Sequence, residues 1–154
     1  MQKVSDLIEE IEQQYLKFID YSVEDGLSEQ KNIASFKSIC SNLWHLSDWV
    51  WKEYASFQEQ YSNIGEFRLY LFGLCNELKI IHDIANTSKH LELTRPKSNF
   101  KELKIYEGDP LSFSNPPCIL IVLKNRKKKN GTKIIKTVLD FWNHFMNDLY
   151  INSL

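Results

Sequence analysis

Apolar residues recur near the start of the chain at Val4, Leu7, Ile8, Ile11, Tyr15, Phe18 and Ile19. That i, i+3/i+4, i+7 spacing gathers them on one face of a helix over about residues 3–23. Gly26 is expected to end it, and Ser28 to cap a second helix running to about Tyr61. The second segment carries Phe36, Ile39, Leu43, Leu46, Val50, Tyr54 and Phe57 on one face, with Trp44 and Trp51 on another side. Apolar over much of its circumference, it is predicted to be central or to pack half its surface on a partner. A third helix is predicted over 64–93, with Leu74, Leu78, Ile81, Ile84 and Ala85 inward. It stops at Thr94-Arg95-Pro96, because proline cannot continue a helix and disfavours helix in the residue before it.

The period then changes. "KELKIYEGDPLSF" holds a Gly-Asp-Pro turn between alternating pieces, and "CILIVLK" is a β-rich apolar run. "NRKKKNGTKIIKTV" places an Asn-Gly turn before Ile134, Ile135 and Val138, which reads as a hairpin or a three-stranded antiparallel insert. Helical spacing returns over 137–151 with Val138, Phe141, Trp142, Phe145 and Leu149. The predicted fold is therefore mainly α: one domain over 1–154, an antiparallel bundle of about four helices, with a small antiparallel β-hairpin or sheet at about 103–136 before the last helix.

At 154 residues the chain suits a single core, and nine Phe, seven Tyr and four Trp favour a packed globule over disorder. No apolar run reaches the roughly 18 residues a membrane span requires, and the acidic N-terminus lacks a signal-peptide pattern. Cys40, Cys75 and Cys118 lie far apart in apolar surroundings, without the Cys-x-x-Cys spacing of a zinc clasp. Reduced thiols in a cytoplasmic protein are expected, with no membrane partner and no cofactor. The net charge of −1 hides an asymmetry. Residues 1–94 hold 8 Lys/Arg against 15 Asp/Glu, and residues 95–154 hold 11 against 5, with the basic excess mostly in "KNRKKKNGTKIIK".

Two stretches carry candidate chemistry. On a helix turning about 100° per residue, Lys79, His82, Asp83, Asn86, Lys89 and His90 share one side, opposite the apolar residues. Asn86, Thr87 and Ser88 are poorer helix formers than the Glu, Lys, Gln or Ala of an ordinary exposed stripe. The preceding helix holds "LWHLSDWVW", in which His45 and Asp48 sit three apart beside Trp44, Trp49 and Trp51. A carboxylate at i+3 can accept a proton from the imidazole and fix its tautomer. Antiparallel packing of the two helices would bring His45/Asp48 and His82/Asp83 to similar heights. The competing readings are a solvated helix face and a surface His–Asp pair beside core tryptophans.

Together, "WHLSDW" (44–49) and "ANTSKH" (85–90) resemble the paired signature of an uncharacterised family of small bacterial proteins. In that family Trp-His-x-x-Asp-Trp and Ala-Asn-x-x-Lys-His elements precede a short β segment and a final helix. More distantly, Asn-x-x-Lys-His ending the third helix of a bundle is similar to the HEPN superfamily of toxin–antitoxin and phage-defence domains. The resemblance implies a homodimer and a metal-independent ribonuclease centre with His90 as the histidine and Asn86 as the polar residue beside the family's arginine. No arginine lies between positions 69 and 94; Lys89 or Arg95 is left to supply the cation.

Four residues are thus candidate catalytic groups: His90 as general acid or base, with Asn86, Lys89 and Asp83. His45, Asp48, His82, Arg95, Lys127, Lys128 and Lys129 are candidate substrate-binding residues, the lysines holding an RNA backbone or else blunting a sheet edge. Two alternatives stand beside this reading. One is a non-catalytic module that binds a protein partner; the other is a bundle metal site of His45, Asp48, His82 and Asp83, without Glu-x-x-His or His-x-x-x-His spacing.

Overall fold

In a computed structural model, residues 3–24, 29–87, 95–106 and 118–153 are described. They form α1 (Val4–Glu24), α2 (Glu29–Glu53), α3 (Ala55–Gln60), α4 (Ile64–Leu74) and α5 (Glu77–Thr87), then β1 (Phe100–Tyr106), β2 (Cys118–Leu123), β3 (Lys128–Asn130) and α6 (Gly131–Ser153). The fold is mainly helical with one small antiparallel sheet, as expected. Six helices among the described residues replace the four drawn from the pattern. The caps expected at Gly26 and Ser28, the Gly-Asp-Pro turn and the helix stop at Thr94 lie outside the described residues.

α1 and α2 run antiparallel. The Val4 amide donates to Glu53 Oε2 at one end, Gln14 bonds Ser38 and Asn42 midway, and Phe18 meets Phe36 at the other. α2 is central, touching α1, α3, α4, α5 and α6. Phe36, Ile39, Cys40, Leu43, Trp44, Leu46 and Val50 are all buried, which accounts for its apolar surface on more than one side. α6 closes the core against α1, α2, α5 and β2 with Ile135, Val138, Leu139 and Trp142 buried. Asn143 of α6 donates to Glu12 of α1 at 2.6 Å.

Two predicted helices are interrupted. The second breaks at Tyr54, whose extended backbone precedes α3. Gln58 Nε2 donates to Trp51 O at 2.7 Å there, satisfying a carbonyl that the helix end leaves without a partner. Phe57 of α3 then packs on Phe67 and Phe145. The third breaks at Cys75 and Asn76, where Cys75 is extended. The amides of Leu78 and Lys79 turn back to Cys75 O and Asn76 O to begin α5. This break shifts the helical phase, so Leu74, expected inward, is 51% exposed, while Leu78, Ile81, Ile84 and Ala85 are buried as predicted.

β2 lies between β1 and β3. Phe100, Leu103 and Ile105 pair with Leu123, Ile121 and Ile119, forming one apolar face that α6 covers from the β2 side. The β2–β3 turn departs from expectation. It is made by Lys124–Arg126, closed by Leu123 N–H to Lys127 O and by Arg126 N–H to Leu123 O, with Arg126 in the left-handed region at φ 69°. Asn130-Gly131 is no hairpin turn. Asn130 Oδ1 accepts from the Lys133 amide, capping α6, so Ile134, Ile135 and Val138 are helical.

Candidate functional site

α4 starts with Asn63 and Glu66 in reciprocal capping. Asn63 Oδ1 accepts the Glu66 amide, and Glu66 Oε2 accepts the Ser62 amide. This fixes α4 so that Arg68 reaches α2, where it donates to Asp48 and, at 3.4 Å, to Ser47 Oγ. Its guanidinium lies 4.9 Å from the Trp44 ring centroid. Asp48 also faces His45 Nδ1 at 3.3 Å. The "WHLSDW" element therefore holds an arginine: Trp44, Ser47 and Asp48 form its seat. Arg68 was not among the residues singled out from sequence, although a lone cation inside "IGEFRLYLFGL" signals that a partner is needed.

The second cluster centres on Asp83, which is fully buried. Its Oδ1 accepts from His82 Nδ1–H at 2.8 Å and from the Lys97 amide at 2.8 Å. Its Oδ2 accepts from the Ser98 amide at 2.7 Å and the Ser98 hydroxyl at 2.5 Å. Burial alone would raise this carboxyl, but the bonds from His82, Ser98 and Lys97 outweigh it and hold the group below its ordinary value. Asp83 thus ties α5 to the segment leading into β1. Lys97 and Ser98, unremarked in the sequence pattern, complete it from 14 and 15 residues further along the chain.

His82 is part of the same tie. Nδ1 faces the carboxylate and Nε2 lies 2.9 Å from Asn86 Nδ2, so both ring nitrogens are engaged. Trp44 and Phe72 meet the ring edge-on at 4.7 and 6.3 Å. The weak helix formers have local reasons: Asn86 bonds His82 one turn back, and Thr87 Oγ1 donates to Ile84 O at 2.7 Å.

The structure brings His82, Asp83 and Asn86 together. Asp48 reaches this cluster by way of Arg68 and Trp44, while His45 lines a separate hollow against Leu7, Glu10 and Ile11 of α1. Between α2, α4, α5 and the Lys97 segment lies a cleft of about 370 Å³, lined by Trp44, Arg68, Leu69, Phe72, His82 and Lys97 among others. Lys89 and His90 lie outside the described residues. No three His, Cys, Asp or Glu side chains converge to hold a metal ion among the described residues, and no helix there is long and apolar enough to cross a membrane.

The turn after β2 belongs to the same end of the molecule. The Lys124 amide donates to Asn99 O at 2.7 Å, one residue beyond the Ser98 anchor. Arg95, Lys97, Lys101, Lys124, Arg126, Lys127, Lys128 and Lys129 are all exposed, and none is in an ion pair among the described residues. Comparison with known proteins finds no family model, no curated protein and no solved structure that matches this chain.

Proposed function

We propose that the chain is a HEPN-like domain of the toxin–antitoxin or phage-defence kind, dimeric, that binds RNA along the basic end of its sheet. The observation that supports the RNA-binding part of this reading is the double tie at that end: Asp83 fixes Lys97 and Ser98, and Asn99 O holds Lys124. Together they draw the basic segments 95–101 and 124–129, which contain no Asp or Glu, onto one rim. Such a rim suits a phosphate backbone, whose binding is electrostatic and independent of sequence. Arg126 adds to it. A left-handed conformation costs a non-glycine residue about 1–2 kcal/mol, yet this turn spends it to display a cation.

His82 serves this reading as a positioning group, since both ring nitrogens are committed; cleavage, where it occurs, falls to His90. A protein-interaction module is the second reading, favoured by Leu69, Tyr70 and Leu74 exposed on α4.

Binding of labelled RNA across a salt series tests the proposal, with Arg126→Gly beside a Lys127/Lys128/Lys129→Ser variant. The salt slope should fall by about 0.7 for each single-strand phosphate that a variant no longer neutralises. Arg126→Gly should bind more weakly while unfolding at higher denaturant, which separates charge from misfolding. Parallel incubation with EDTA and with His90→Ala reads out cleavage. A folded wild type that binds no RNA at low salt removes the RNA reading and leaves the interaction module.

A further inference from the structure

We propose that the cleft beside Arg68 receives an unstacked nucleobase, so that the RNA recognised is single-stranded. The inference rests on the RNA-binding reading and adds a substrate class to it. The cleft, about 370 Å³, falls within the size range of small-ligand sites. Its walls are mostly apolar and aromatic, from Leu69, Phe72 and the buried Trp44, with Asn63 and Glu66 at the start of α4 completing the lining. The cation within it, Arg68, is planar and delocalised, and its charge is offset by Asp48. Lys97, which also lines the cleft, is exposed and leads onto the basic rim. A mostly apolar cleft that holds a charge-compensated guanidinium and borders exposed Lys97 suits a base inside with its phosphates outside. Trp44 is already packed by Phe72 at 5.6 Å and by Arg68; it shapes the wall, and the base lies against Arg68 and Leu69. A duplex keeps its bases paired and stacked and presents none to such a cleft.

The test uses the full chain and four probes: a fluorescein-labelled oligouridylate, the same strand with abasic ribose at alternate positions, an RNA duplex, and the oligouridylate carrying 4-thiouridine for photo-crosslinking. The intact strand should bind about tenfold more tightly than the abasic strand or the duplex. Leu69→Asn, a change at an exposed position, should lower oligouridylate affinity to the abasic level without altering abasic binding. Crosslinks should map to α4 or to the Lys97 segment. Equal affinity for intact and abasic strands, or crosslinks confined to the 124–129 turn, overturns the base site while leaving the RNA-binding rim intact. Absence of binding to any probe overturns both.

Discussion

Asp83 joins α5 to the segment before β1 through three residues and four hydrogen bonds. A buried carboxylate accepting four hydrogen bonds is stable only while all of its donors are present. Asp83→Asn keeps the shape but turns an amide N–H toward backbone or hydroxyl donors. We expect a loss of about 2–3 kcal/mol by chemical denaturation at neutral pH. The pH dependence has a definite sign. The folded value lies below the ordinary 3.8, so the contribution is complete above that value and disappears as pH falls through the lower folded one. Wild type should therefore lose, on acidification below about pH 4, an increment that Asp83→Asn never had. Parallel acid limbs for the two proteins would show that Asp83 is not the tie described. The sequence made His82, Asp83 and Asn86 visible as one polar face, because helical phase alone decides that. It could not show the face turned inward onto Lys97 and Ser98, since a partner across a loop leaves no periodic signal.

At the scale of elements, the handover from β3 to α6 depends on Gly131. A Cβ there would stand 2.8 Å from the Phe36 ring and 2.9 Å from Ile119 O, and the carbonyl belongs to the central strand. Gly131→Ala should cost about 1–3 kcal/mol. Gly73→Ala is the matched control: nothing lies within 4 Å of its added Cβ, and in a helix alanine is favoured by about 0.5–1 kcal/mol. Thermal melts of the two variants should move in opposite directions, and equal shifts would refute the steric account. The same junction shows why the sequence pattern suggests a hairpin that does not form. Asn-Gly signals a turn when strands flank it, but here Asn130 caps a helix and glycine is needed for close approach. The helix breaks at Tyr54 and Cys75 are hidden from the pattern for a related reason, since apolar spacing runs through both without interruption.

Over the whole molecule, the core grades from closed to open. Cys40 on α2 is fully buried and its thiol is pushed far up by burial. Cys75, at the α4–α5 break, is raised to about 11 by burial and then by Glu77. Cys118, at the start of β2, is only partly buried, and burial raises it too. Thiolate is the reactive form, so a disulfide reagent at neutral pH should label Cys118 first and Cys40 only as fast as the protein unfolds. Rapid labelling of Cys40 under native conditions would contradict the central placement of α2. That placement was legible from sequence, because apolar residues on several sides of one helix leave no surface for water.

The last helix also has a bearing on biosynthesis. α6 supplies Trp142, Val138 and Ile135 to the interior and bonds α1 through Asn143 and Glu12. A ribosome delivers it after the other described elements. Until then the parts of α1, α2, α5 and β2 that α6 packs against lack that partner, and exposed apolar surface of this kind is what chaperones and proteases recognise. A chain that stops short of α6 should therefore be cut by protease faster than the full chain.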